Sequence, residues 1–354
     1  MTPPPSTRLT LILDPDDDHV HMTAAFSSHA PALGTVTVHP TPTTPAPAAL
    51  AHDLLRALGK PLFPTADEAR VWADHTKRAW NAAGAWITAM AIDHVIVTRA
   101  HHVTVRNWRN LLALQRDTGT RPTLLLHGPS PGHVPTTLRD ITHRVVHDVG
   151  SAQAHLRATR SPATRGARPG PSCVLVPRET EPWLALPPPS KGTPAPVPRG
   201  PRRPCPADPQ AHVPPRPGRR PTSDEYVAIH RVQGRVAHPH HAAAIALMAT
   251  MGNDLDELRR VSGNDVSRCA STVVVHERAH RRCRAYPVSE WARPLLSAAR
   301  VYNRLEGHSD DASLFHLLPS ERAAIAESIA LCRLRLRTGR DRAATPVDDT
   351  RSRR

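Results

Sequence analysis

Residues 92–128 read IDHVIVTRAHHVTVRNWRNLLALQRDTGTRPTLLLHG, and their succession of apolar and amphipathic runs predicts the class of fold. Its apolar run Val95–Val97 is short, β-branched and bounded by charge, which predicts a buried parallel strand. A helix is predicted over Val105–Asp117, with Gly119 as its stop signal, and a second buried strand over Thr123–His127. Strand, helix and strand within about 35 residues form a βαβ unit, which needs helices on both faces of its sheet. The first half of the chain is therefore predicted to be an α/β layer.

The residues around this unit extend the same layer. Apolar and β-branched runs predict further strands, while amphipathic stretches that end in glycine or proline predict helices. We predict strands over Thr7–Asp14 and Thr35–Val38, and helices from Ala24 onward, over Ala48–Leu58, over Ala66–Ala83 with Thr65 as N-cap, and over Thr136–Leu156.

Three consecutive aspartates, Asp16, Asp17 and Asp18, follow the first predicted strand. Acidic residues at the start of a helix cap its free amides and complement its dipole, so we expect a structural role for them. An alternative is a divalent metal site built from Asp16, Asp18 and either His19 or His21. We favour the structural role and expect no bound metal or cofactor.

The order of these elements resembles that of AAA+ and related P-loop ATPases, in particular the transposition-helper or plasmid-associated type. The segment Leu54–Gly59, LLRALG, is similar to the end of a helix in that group. In the family, a glycine-rich loop ending in Lys-Ser/Thr follows the first strand, and a later strand ends in Asp-Glu-Ala-His. Here residues 14–23, DPDDDHVHMT, stand in place of the loop, and residues 98–102, TRAHH, in place of the acidic motif.

This resemblance implies a P-loop-NTPase-like parallel sheet with helices on both faces. It also implies a vestigial nucleotide pocket, because the residues at the two motif positions cannot do the family's chemistry. Glycines let backbone amides reach the phosphates, and the lysine supplies positive charge, whereas three aspartates repel a triphosphate. Threonine and arginine cannot replace the acids that hold magnesium. We expect no catalytic residue there; the vestigial pocket comprises Asp16, Asp17, Asp18, His21, Thr98 and Arg99.

Composition divides the 354-residue chain into parts. It contains 39 prolines, well above an average share of roughly 5%. Many of them fall between residues 158 and 224 together with arginine clusters, which predicts a disordered Pro/Arg-rich linker. We predict an ATPase-like domain over 1–157, this linker, a mainly α domain with a β-hairpin over 225–338, and a disordered tail over 339–354. The five cysteines lack the Cys-x-x-Cys spacing of zinc sites.

The net charge of +15 is unevenly distributed. Residues 1–150 carry 13 Lys and Arg against 12 Asp and Glu, residues 151–224 carry 12 against 4, and residues 225–354 carry 21 against 15. The excess of +14 therefore lies outside the first 150 residues. Because a basic surface favours polyanions, DNA is the expected partner of the second half.

The second half is predicted to contain helices over Ala242–Met251 and Leu255–Val261, a hairpin over Ser271–Val288 and a helix over Ser289–Leu305. This order resembles the start of the catalytic domain of tyrosine recombinases, the phage-integrase family. The family's sequence pattern is matched at Gly252, Asp265 and Val266, but Asp254 stands where the family has its first catalytic arginine. The hairpin has no lysine, and residues 309–336 contain no tyrosine, so no nucleophile follows. The resemblance implies the fold without the cleavage chemistry.

The arginines of this half are the candidate DNA contacts, since guanidinium groups bind phosphate bidentately. A solvated helix face is the alternative interpretation for Arg259 and Arg260 and for the arginines at 333, 335 and 337. The candidate nucleic-acid-binding residues are Arg278, Arg281, Arg282, Arg284, Arg259 and Arg260.

Together these patterns predict a non-catalytic, DNA-associated accessory protein of mobile-element or plasmid origin. One alternative is an active ATP-binding or ATP-hydrolysing protein with atypical motifs. Another is a transcriptional regulator that uses residues 242–261 as a helix-turn-helix. No apolar run of about 18 residues and no signal-peptide pattern is present, so we expect a cytoplasmic protein with no membrane partner.

Overall fold

A computed structural model describes residues 9–42, 46–60, 75–128, 138, 141–159, 181–185, 195–196, 223–251, 255–277, 282–315 and 319–335. The chain divides into two compact units, Met1–Leu175 and Val176–Arg354. None of the helices within these ranges is long and apolar enough to cross a membrane.

The first unit is built on a five-stranded, all-parallel sheet. The strands are β1 (Leu9–Asp14), β2 (Thr35–Val38), β3 (His94–Val97), β4 (Arg121–His127) and β5 (His143–Val146). Their order in the sheet is β2-β3-β4-β1-β5. The apolar strands are buried on both faces, as parallel strands covered by helices must be. The helices are α1 (His19–Ser27), α2 (Ala49–Ala57), α3 (Thr76–Ala89), α4 (Val105–Thr118) and α5 (Val149–Thr159).

Helices cover both faces of this sheet. The connection from β1 to β2 crosses the sheet in one direction, and the connections from β2 to β3, β3 to β4 and β4 to β5 cross it in the other. Because such connections are right-handed, their helices lie on opposite faces. Accordingly, α1 packs against α5, while α3 packs against α2 and α4. Ile12 and Leu125 of the sheet lie in one core cluster with Ala25 of α1 and Leu156 of α5. The predicted α/β fold with a parallel sheet is thus confirmed.

Several predicted boundaries were wrong. The predicted helix over residues 136–156 is confirmed only over 149–156, as part of α5, because His143–Val146 forms an edge strand, β5, that pairs with β1. Helix α1 begins at His19 rather than Ala24, since Asp18 caps it. Helix α3 ends at Ala89, six residues beyond the predicted end, so Trp86 lies inside it, fully buried. The proposed N-cap at Thr65 lies outside the described residues.

The second unit is mainly helical with a β-hairpin. The elements are α6 (Ser223–Arg235), α7 (Pro239–Met251), α8 (Leu255–Leu258), β8 (Thr272–Glu277), β9 (Arg282–Pro287), α9 (Arg293–Glu306) and α10 (Pro319–Leu331). Helix α7 is apolar on all sides, and its residues 242–247 are fully buried against α6, α9 and α10. The hairpin strands β8 and β9 pair antiparallel as predicted.

Parts of the predicted linker are built into this unit. Strand β6 (Leu184–Ala185) pairs in parallel with β10 (Leu334–Arg335), and β7 (Ala195–Pro196) pairs antiparallel with β9. Glu181 accepts a 2.7 Å hydrogen bond from the guanidinium of Arg235, which is almost completely buried. A buried guanidinium needs such a partner. Apart from these pieces and the helix ends at Ser223–Asp224 and Ala158–Thr159, residues 158–224 lie outside the described residues, as does the tail over 339–354.

A buried histidine in the sheet predicts how the stability of the first unit depends on pH. His94 is 5% exposed, and its Nε2 lies 2.9 Å from the Thr123 hydroxyl. Burial, and then the charges of His155 and Arg121, lower the pKa of His94 to about 3. Between its ordinary pKa of 6.5 and about 3, the unfolded chain therefore binds a proton that the folded chain does not.

The free energy of unfolding should accordingly fall on acidification below pH 6.5, by up to about 1.4 kcal/mol per pH unit from this group. The variant His94→Gln keeps an amide near Thr123 but cannot titrate, so its urea midpoint should change less between pH 6.5 and 4.5. Urea titrations followed by tryptophan fluorescence measure this, with His19→Gln, an exposed site, as the matched control. Equal pH slopes in wild type and His94→Gln would show that His94 does not contribute.

Candidate functional site

The sheet order places a crevice outside the carboxyl ends of β1 and β4. The chain leaves β1 towards β2 and leaves β4 towards β5, so connections depart in opposite directions from two neighbouring strands. Ligands of open parallel sheets bind at such a switch point. The pairing register sets Asp14, the last residue of β1, beside His127, the last residue of β4.

Asp14 joins three segments at this edge. Its carboxylate is 2% exposed, and Oδ2 lies 2.7 Å from Nδ1 of His127 and 3.5 Å from Nδ1 of His21 in α1. Its Oδ1 accepts a 3.0 Å hydrogen bond from the amide of Asp18. A buried carboxylate is stable only with such donors around it. Asp14 thereby fixes the loop that leads from β1 into α1.

Asp17 brings a second carboxylate to the same edge. Its backbone is left-handed, with φ 51°, a conformation that aspartate tolerates better than most residues. Its Oδ1 lies 3.2 Å from Nδ1 of His127, and its Oδ2 lies 3.9 Å from the guanidinium of Arg99. The loop therefore places two carboxylates within reach of one imidazole nitrogen.

The ligand-type atoms of Asp14, Asp17 and His127 all lie within 4.8 Å of one another, so these three residues could hold a metal ion. His21 is 3% exposed and borders the cluster. Within the described part of the chain, neither ring nitrogen of His21 has a hydrogen-bond partner, and neither has Nε2 of His127. Unpaired buried polar atoms in a folded protein call for a ligand or another explanation.

A second layer of histidines borders this cluster. The amide of His127 donates to Nδ1 of His101, at 3.2 Å. Burial first, and then the nearby His102, His127 and Arg99, lower the pKa of His101. A neutral His101 ring can accept that hydrogen bond.

Thr98 holds the end of β3. Its hydroxyl donates to the carbonyl of Val38 at 3.2 Å and lies 2.9 Å from Nδ1 of His39. Burial, and then the charge of Arg99, lower the pKa of His39. Thr98 is fully buried in these contacts, which tie the ends of β2 and β3 together.

The structure brings together only some of the residues predicted for this pocket. Asp17 and Arg99 lie 3.9 Å apart at the edge of the sheet, and His21 lies at the same edge beside Asp14. Asp18 instead caps α1, accepting a 2.9 Å hydrogen bond from the amide of Val20, and Asp16 is exposed. The structural role that we predicted for the acidic triplet is thus confirmed for Asp18. The alternative metal set of Asp16, Asp18 and His19 or His21 is not assembled.

Asp14, His127, His101 and His39 were missed as site residues. Asp14 and His127 could have been predicted from their position, since each is the polar last residue of a predicted apolar strand. The carboxyl ends of parallel strands meet at one edge of the sheet.

The predicted DNA contacts lie in the second unit. Arg282 and Arg284 belong to β9, where they pair with Glu277 and Val275 of β8, and Arg278 and Arg281 lie outside the described residues. Arg259 is exposed and Arg260 half-buried, directly after the short α8. Arg333 and Arg335 do not lie on a helix face. Arg333 follows α10 with φ 50° and donates to the carbonyl of Glu181, and Arg335 lies in β10.

No protein-family model, no curated protein and no solved structure matches the chain.

Replacing Asp14 tests how far this site supports the fold. In Asp14→Ala, the amide of Asp18 and the ring of His127 lose their acceptor, which should lower the stability of the first unit by roughly 2–4 kcal/mol. Asp14→Asn keeps one side-chain oxygen and should cost about half as much. Urea unfolding measures both, with the exposed Asp16→Ala expected to change the free energy by less than about 0.5 kcal/mol. If Asp14→Ala unfolded at the same urea concentration as wild type, the assigned contacts would be contradicted.

Proposed function

We propose that the chain is a non-catalytic, DNA-associated accessory protein of the kind that accompanies mobile elements or plasmids. The observation that carries the proposal is the charge distribution: residues 151–354 hold an excess of 14 positive charges, whereas residues 1–150 hold one. A protein that must meet a polyanion gains affinity from such a basic part, through release of counterions from the phosphates.

In this proposal the first unit keeps the scaffold of a nucleotide-binding domain without binding nucleotide. The amides at the start of α1 are already occupied by the chain's own carboxylates: Asp18 donates to Asp14, and Val20 donates to Asp18. A phosphate group would need those same amides. It would also approach two carboxylates, Asp14 and Asp17, at short range.

The P-loop-NTPase-like assignment of the first unit and the recombinase-like assignment of the second are part of this proposal. They are supported by the order of elements along the chain, strand, loop, helix and strand in the first unit and helix, hairpin and helix in the second. In the second unit Asp265 has a structural role, since its Oδ2 accepts hydrogen bonds from both the amide and the hydroxyl of Ser262, at 2.8 and 2.7 Å. Gly252 and Asp254 lie outside the described residues.

The two alternative functions have less support. An active ATPase needs phosphate-binding amides and metal-holding acids, and the end of β3 offers a buried Thr98 and a left-handed Arg99 instead. A helix-turn-helix regulator needs a recognition helix that reaches a DNA groove. Helix α7 is buried on all sides, and α8 comprises four residues.

The first unit should not bind ATP. Calorimetric titration of ATP into the full chain, pre-equilibrated with magnesium, should give no heat of binding beyond dilution. The physical reason is that carboxylates occupy both the helix amides and the crevice. A dissociation constant in the low micromolar range would overturn this part of the proposal.

DNA binding should depend on the hairpin arginines. Replacing Arg278, Arg281, Arg282 and Arg284 by alanine should weaken binding to all duplexes alike. It should also flatten the slope of log affinity against log salt by up to about 3–4 units, since each neutralised phosphate contributes about −0.9. Fluorescence anisotropy over a salt series measures affinity and slope together.

The matched control removes the same charge from the first unit, at the exposed Arg56, Arg106, Arg109 and Arg116. This variant should keep the wild-type salt slope within about one unit. If the two quadruple variants lost the same DNA affinity, net charge and not the hairpin would determine binding. A covalent complex with nicked DNA would show that the second unit is an active recombinase.

A further inference from the structure

We infer that the edge of the first unit's sheet is a binding site for a divalent transition-metal ion of the zinc class, with Asp14, Asp17, His127 and His21 as its ligands. The juxtaposition is independent of DNA binding, because all four residues belong to β1, its following loop, α1 and β4. Two observations carry the inference: the spacing of the ligand atoms and the unpaired, buried ring of His21.

The spacing is close to that of a tetrahedral site. Ligands about 2.0–2.1 Å from zinc lie roughly 3.3 Å from one another. The observed separations are 3.2 Å between His127 Nδ1 and Asp17 Oδ1, and 3.5 Å between His21 Nδ1 and Asp14 Oδ2. The 2.7 Å contact between His127 and Asp14 must open by roughly half an ångström. His21 lies outside the 4.8 Å group of Asp14, Asp17 and His127, so its ring must also turn towards those three to become the fourth ligand.

The hydrogen bond between His127 and Asp14 gives that carboxylate a partner without a metal, but it does not explain His21. His21 is 3% exposed, its Nδ1 lies 3.5 Å from the same Asp14 oxygen, and neither of its nitrogens has a hydrogen-bond partner among the described residues. A cation between the two carboxylates would give that nitrogen a partner. One ion would thus satisfy both imidazoles and both carboxylates.

The donor set also selects the class of metal. Two imidazole nitrogens with two carboxylate oxygens suit zinc, cobalt and related ions, whereas magnesium prefers an all-oxygen octahedron. Asp14 and His127 lie on rigid strand ends, and Asp17 lies on an exposed loop, with its side chain 53% exposed. An ion could therefore enter from the side of Asp17 without unfolding the sheet.

The test uses the full chain, stripped with a chelator and then dialysed against zinc, with bound metal quantified by mass spectrometry. Cobalt provides a second readout, because tetrahedral nitrogen and oxygen ligation gives intense visible absorption. Wild type should bind one more zinc equivalent than Asp14→Asn or His127→Ala. Asp17→Asn and His21→Ala should each lower the affinity for that zinc ion by at least tenfold. A tenfold excess of magnesium should not compete.

Matched controls at neighbouring exposed positions, Asp16→Asn and His19→Ala, should bind zinc and cobalt as wild type does. Circular dichroism checks that each variant is folded, and Asp17→Asn keeps the test decisive if Asp14→Asn is unstable, because Asp17 is exposed. The inference is overturned if wild type binds no zinc. It is equally overturned if all four site variants bind as much zinc as wild type, since the metal then lies on other histidines or cysteines of the chain.

Discussion

The hydrogen bond between Asp14 and His127 connects residues 113 positions apart in the sequence, and the carboxyl edge of the first unit depends on it. It joins the ends of two neighbouring strands that leave the sheet in opposite directions. The same carboxylate holds the amide of Asp18, so the start of α1 depends on it as well. The backbone of Asp14 completes the arrangement, since its carbonyl accepts a hydrogen bond from the amide of Gly128. Removing this carboxylate would take the acceptor from the amide of Asp18 and the nearest acceptor from the ring of His127, which is costly where little water reaches.

The strands of the first unit could be predicted because their signal is local. A β-branched, apolar run such as Val95–Val97 is buried on both faces, and the strand can be predicted without knowing its neighbours. The edge strand His143–Val146 lacks that signal. Its central residues are exposed, so it resembles a polar stretch of helix or loop until its pairing with β1 is known. The predicted start of α1 is too late for a related reason, because polar and apolar residues alternate over His19–Met22 and give no helical periodicity.

The candidate site could be predicted only in part, because its geometry is a property of the sheet order. The sequence shows the aspartates at positions 16 to 18, but which of them turns inward depends on the loop. Asp18 is the N-cap of α1, and Asp17 turns towards β4 because its backbone is left-handed. The partner His127 becomes visible only when β4 is placed beside β1, a pairing that no local spacing encodes. A polar residue at the end of an apolar strand is the one sequence signal that points to this edge.

The sign of the charge at this edge constrains what can bind there. A crevice at the start of a helix normally favours anions, because free amides and the helix dipole point into it. Here the amides of Asp18 and Val20 are bonded to carboxylates, so the dipole is already compensated by the chain itself. Asp17 adds a further negative charge, only partly offset by Arg99 at 3.9 Å across an exposed contact. The two carboxylates give this edge of the sheet a negative potential. That potential disfavours a phosphate and favours the metal ion that we infer, for one and the same reason.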